Sequence, residues 1–288
     1  VIPLATTHGI EVHAWFWTMN RGDARKEWLS YNREGHSLAD KKAYVDYYRF
    51  MCPAIPEVQD FILGKMDTLT RVEGLSGLHM DYIRYVDAIL PRGLWDKYGL
   101  VQDHIMPEFD YGYHPLMRSK FKAIYDYDPI ESENVGTDSL WLAFRLNALN
   151  DAVIRFRDFI HHKGLSISAA VFPTPRMATE MVRQDWSHWD LDYFFPMVYH
   201  NFYLEDTAWI RKVMQINRQV IPRETKIFCG LYLPALAKDS QLSDAMEAAF
   251  RGGADGIAFF DLRALKRSQI MQIKKFTRNQ NSTRSFRN

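Results

Sequence analysis

Short apolar runs ending in polar or aromatic clusters alternate along this chain with segments whose apolar residues recur every three or four positions. No single motif constrains the fold as strongly, because strand, helix, strand in succession is the pattern of parallel strands joined by helical crossovers. Strand-like runs fall at residues 11–17, 47–52, 77–83, 166–172, 193–199, 227–232 and 256–261. Between them, Val58, Phe61, Ile62, Met66 and Leu69 mark one amphipathic helix opened by Pro56. Leu142, Leu146, Leu149, Val153, Phe156 and Ile160 mark a longer one stopped by Gly164. Further helical patterns cover residues 176–189, 205–220, 242–250 and 265–276, and a long excursion rich in Pro, Gly, Asp and Tyr fills 86–137.

The expected architecture is α/β, a (β/α)8 TIM barrel. Seven strand-like runs are one fewer than the eight of a closed barrel, and residues 1–9 read as a connector, so the first strand is expected to lie upstream of Val1. A chain of 288 residues suits one such domain, placed at 1–276, with 277–288 as a polar basic tail.

In such a barrel the carboxyl ends of the strands form the floor of the active site. Gly77-Leu78-His79-Met80-Asp81-Tyr82-Ile83-Arg84-Tyr85 carries the densest chemistry at an expected strand end. Side chains alternate along a strand, so Leu78 and Met80 are expected on one face, with His79 and Asp81 on the other. Arg84 lies close enough in sequence to hold Asp81 ionised. By the same alternation His13, Trp15 and Trp17 of the first run point to the barrel interior or its mouth. Tyr199 and His200 stand at the tip of the 193–199 run.

A net charge of +1 provides no electrostatic reason to bind nucleic acid or an anionic membrane. No apolar run reaches the about 18 residues that a bilayer span needs. Aromatic residues make up 14% of the chain, and flat amphipathic rings suit neutral polyhydroxylated ligands as well as cores. Cys52 and Cys229 lack metal-ligand or redox spacing and read as buried thiols.

Three chemistries compete for these residues. A carboxylate pair for glycoside hydrolysis would use Asp81 with Asp185 as its preferred partner, Glu180, Glu205, Asp206 and Asp261 being the alternatives. A metal site would draw on His13, His79, Asp81 and His200, but their spacings match no metal motif, and neither a metal nor a cofactor is expected. A phosphate or nucleotide site is set aside because the chain has neither a Walker-type loop nor a dinucleotide-binding glycine fingerprint.

The 77–85 segment, together with His13-Ala14-Trp15, Arg183-Gln184-Asp185-Trp186 and Pro196-Met197-Val198-Tyr199, resembles the bacterial glycosyl-hydrolase-like, family-10-like TIM-barrel proteins. That resemblance implies an exported, extracytoplasmic bacterial protein that hydrolyses a bacterial or dietary polysaccharide. It makes Asp81 the main catalytic carboxylate and Asp185 a second polar residue of the site. Tyr199 and His200 would line the cleft, Trp17 or Tyr232 would stack on sugar rings, and His13, Trp15, His79 and Arg84 would complete the substrate-binding set. The alternative is a glycan-binding barrel without turnover.

Overall fold

A computed structural model describes residues 1–132 and 136–285. Ile2–Thr7 form a short helix, α1, and β1 runs His13–Trp17. The loop that follows leads to α2 (Pro56–Thr70), opened by Pro56 as its sequence position predicts, and then to β2 (Gly77–Asp81). The excursion after β2 holds α3 (Trp95–Tyr98) and α4 (Pro115–Tyr125). The long helix α5 (Ser139–His162), β3 (Ser166–Val171) and α6 (Pro175–Val182) follow.

The chain divides into two compact units, Val1–Phe194 and Phe195–Asn288, and β4 (Tyr193–Pro196) lies where the first passes into the second. The second unit contains α7 (Thr207–Val220), β5 (Lys226–Tyr232), α8 (Asp239–Arg251), β6 (Gly256–Phe260) and α9 (Arg267–Ser285).

In the first unit β1, β2 and β3 are parallel neighbours in that order. The register sets Trp15 opposite His79 and Trp17 opposite Asp81. Leu78 and Met80 are fully buried, as are Val58, Ile62 and Met66 of α2 and Leu149, Phe156 and Ile160 of α5. Helix α2 packs on α5, and α5 packs on β3. Each such side chain contributes roughly 1.5–3 kcal/mol by leaving water, and together they hold one face of the strands against the helices. The other face is left to His79 and Asp81, as the alternation predicts.

In the second unit β5 and β6 are parallel from Phe228↔Gly256 to Tyr232↔Phe260, and Met197 bridges Gly230 in parallel. A side chain at Gly230 would approach within 2.8 Å of the Pro196 carbonyl, so only glycine allows this close passage.

Three local expectations need correction. Residues 47–52 are not a parallel strand. Phe50 and Met51 form isolated antiparallel bridges to Asn20 and Leu29, and the Asn20 side chain accepts the Arg49 N–H at 2.7 Å. Phe50, Met51 and Cys52 are buried consecutively, a pattern that a half-buried strand does not allow. The helix read across 176–189 ends at Val182, because Arg183 adopts the left-handed conformation (φ 52°) and caps it. Helix α9 continues to Ser285 instead of ending at Phe276; residues 286–288 lie outside the described residues.

Candidate active site at the carboxyl end of β2

Asp81 is the last residue of β2, so its side chain leaves the sheet where the parallel strands end. Its Oδ1 accepts the backbone N–H of Tyr82 at 2.7 Å, and its Oδ2 accepts the indole N–H of Trp15 at 3.1 Å. Trp15 is two residues upstream of Trp17, which faces Asp81 across the register, so the indole reaches the carboxylate diagonally along one face. Burial pushes the Asp81 carboxyl above the ordinary range, and these two donors only partly oppose it. Asp81 as a whole is half-buried.

Arg84 does not hold Asp81 ionised. It turns inward and pairs with Asp87 at 3.1 Å, while the Tyr48 hydroxyl donates to the same Asp87 oxygen at 2.7 Å. Its guanidinium packs against the rings of Phe50, Tyr82 and Phe172 at 5.1, 5.2 and 5.4 Å, where a buried cation gains from aromatic faces. The Arg84 charge still favours the ionised Asp81, but burial outweighs it and favours the protonated form.

His79 lies one pleat deeper on the same face. Its Nδ1 is 2.9 Å from Ser168 Oγ, and burial, with His13 nearby, pushes its pKa down to about 4. His13 packs edge-on against Tyr193 and meets Glu11 at 3.4 Å. Trp17, Tyr47 and Tyr82 form an aromatic group at the strand ends, with ring centres 4.7 Å apart for Trp17–Tyr82 and 5.6 Å for Trp17–Tyr47.

Asp185 precedes a 3-10 turn at Trp186–His188 and is held by Asn150 Nδ2 at 3.1 Å and His188 Nδ1 at 2.7 Å. Among the described residues no hydrogen bond or ion pair joins it to the Asp81 group. Its neighbour Gln184 reaches the strand ends instead. The Gln184 amide donates to the Ile83 carbonyl at 3.0 Å and accepts the Phe172 N–H at 2.9 Å, tying together the segments that leave β2 and β3. Nothing in the sequence singles out this glutamine, whose role depends on two turns about 100 residues apart.

In the second unit Tyr232 and Phe260 end β5 and β6 opposite each other. Tyr199 stacks on Phe260 at 15° with centres 6.1 Å apart and lies 5.5 Å from Tyr232. Phe260 is 44% exposed, so this group also presents aromatic surface at strand ends. His200 begins a 3-10 turn and is buried, which lowers its pKa. Among the described residues no three His, Cys, Asp or Glu side chains converge as metal ligands, and no helix is long and apolar enough to cross a membrane.

Neither a family model nor a curated protein matches the chain. Solved structures do. The chain is similar to the catalytic domain of β-amylase from Paenibacillus polymyxa (11% identity, TM-score 0.54), covering 93% of this chain and 80% of that one. A class V chitinase from Pseudomonas fluorescens Pf-5 is similar at 9% identity and TM-score 0.50, with 93% and 81% covered. The fold is a parallel β/α barrel. Its structural neighbours are glycoside hydrolases with TIM-barrel folds, and identities this low speak to architecture.

Proposed function

We propose that this protein is a glycoside hydrolase of the family-10-like kind, exported from a bacterium, which cleaves a polysaccharide with Asp81 as its acid. The observation that carries this reading is the Asp81 carboxyl itself. It stands at a strand end, has both oxygens held by donors, and is shifted by burial toward its protonated form, as an acid that protonates a leaving oxygen requires. This departs from the expectation that Arg84 holds Asp81 ionised. Asp185 enters as the second carboxylate through the reading of the sequence, as the preferred partner of Asp81 and by the resemblance.

The test is the release of reducing ends from soluble starch, colloidal chitin and peptidoglycan glycan strands. Asp81→Asn is expected to lower turnover by about 10²–10⁴-fold, the usual worth of a positioned acid. Retention of most activity would remove Asp81 from the reaction. The non-catalytic reading has one observation in its favour, because Asp185 is held by Asn150 and His188 and, among the described residues, no hydrogen bond or ion pair joins it to the Asp81 group. Glycan binding by the wild type without any release of reducing ends would select it.

A further inference from the structure

Tyr47 occupies a segment that the strand reading of 47–52 made part of a sheet, and the structure gives it a different place. The antiparallel bridge of Phe50 to Asn20 brings this segment back over the end of β1. The Tyr47 ring packs on Trp17, meets Tyr82 edge-on at 6.5 Å, and its hydroxyl lies 3.2 Å from the Tyr82 hydroxyl. Tyr82 follows Asp81 directly and takes a left-handed conformation (φ 52°) that non-glycine residues rarely adopt. That turn places its ring on Trp17 while its N–H holds Asp81. Arg84 backs the Tyr82 ring, and its charge is matched by Asp87. A packing cluster alone would bury all its rings, yet Tyr47 is 49% exposed and Trp15, on the other oxygen of Asp81, is 56% exposed.

We propose that Trp17, Tyr47 and Tyr82 form a subsite for one uncharged pyranose ring of a glycan, seated beside the Asp81 carboxyl. This deepens the hydrolase reading and rests on it for the choice of ligand. A pyranose offers an apolar C–H face to aromatic rings and hydroxyl groups at its rim. The paired Tyr47 and Tyr82 hydroxyls can donate to and accept from that rim. Anionic sugars gain no counter-charge here, because Arg84, the cation behind the Tyr82 ring, is already paired with Asp87.

The experiment is calorimetric titration of chitohexaose, maltohexaose and hexagalacturonate into the Asp81→Asn protein, alone and combined with Tyr47→Ala or Tyr47→Phe. One of the neutral hexasaccharides is expected to bind. Tyr47→Ala should weaken it about tenfold or more, and Tyr47→Phe, which keeps the ring, by less than about threefold. Hexagalacturonate should bind more weakly than that neutral probe. Failure of both neutral probes to bind, affinity unchanged by Tyr47→Ala, or equal binding of hexagalacturonate overturns the subsite. The two readings fail separately. Hydrolysis by the wild type with KM unchanged in Tyr47→Ala sinks the subsite and leaves the hydrolase, whereas Tyr47-dependent binding without release of reducing ends sinks the hydrolase and supports the subsite.

Discussion

His79 and Asp81 leave the same face of β2 one pleat apart, and burial shifts each toward its neutral form. The imidazole, lowered to about 4, stays uncharged in the folded chain at pH values where an unfolded histidine, near 6.5, takes a proton. The unfolded state therefore binds more protons than the folded state across this window. Stability from His79 is present in full above about pH 6.5 and is lost as the pH falls through about 4. The expected loss is roughly 3 kcal/mol, and His79→Asn should flatten the slope of urea stability against pH in that window. An unchanged slope in the variant would remove His79 as its source. The sequence showed that His79 and Asp81 share a face, since a period of two decides it. It misassigned Arg84, because the partner of a long flexible cation depends on which carboxylate is buried with it, and Asp87 lies on the same turn.

At the scale of elements, β2 is held on both sides, and its first residue shows how tightly. A methyl group on Gly77 would meet His13 Nδ1 and the Ser166 carbonyl at 2.6 Å, and would also run into Ser166 Oγ. Gly77→Ala is expected to cost about 1–3 kcal/mol through forced displacement of the flanking strands. Thermal unfolding of the variant checks this, and a melting temperature equal to the wild type would show that β1 and β3 yield without cost. The six strands among the described residues were legible from alternation and from the glycines and prolines that bound them. The segment at 47–52 was not, because a run of apolar residues looks alike in a strand and in a buried loop. Here isolated backbone hydrogen bonds to Met19, Arg21, Trp28 and Ser30, with the Asn20 side chain at the Arg49 N–H, supply what strand pairing would have supplied.

For the molecule as a whole, the acid role of Asp81 predicts the pH dependence of turnover. A carboxyl raised by burial remains protonated to higher pH than an ordinary one, so kcat/KM should fall as pH rises through the Asp81 pKa. The Trp15 indole N–H favours the ionised carboxylate. Trp15→Phe should therefore move that alkaline limb to higher pH, as read from the rate profile on a glycan that the wild type cleaves. A limb that stays in place or moves to lower pH contradicts the assignment.

Periodicity alone sufficed for the α/β class, the parallel strands and the face on which Asp81 stands, since these follow from local spacing and from which side of each element is apolar. The site around Asp81 did not follow from spacing. Trp15 Nε1 meets Asp81 across 66 positions of chain, and the Tyr47 hydroxyl meets Tyr82 across 35, contacts that exist only when the strand register and the return of the loop bring them together. Protonation followed the same division: the residue types named a carboxylate and a cation as candidates, while burial raised Asp81 more than its two donors and the charge of Arg84 lower it. Desolvation depends on every atom packed around a group, and that packing is a property of the folded chain.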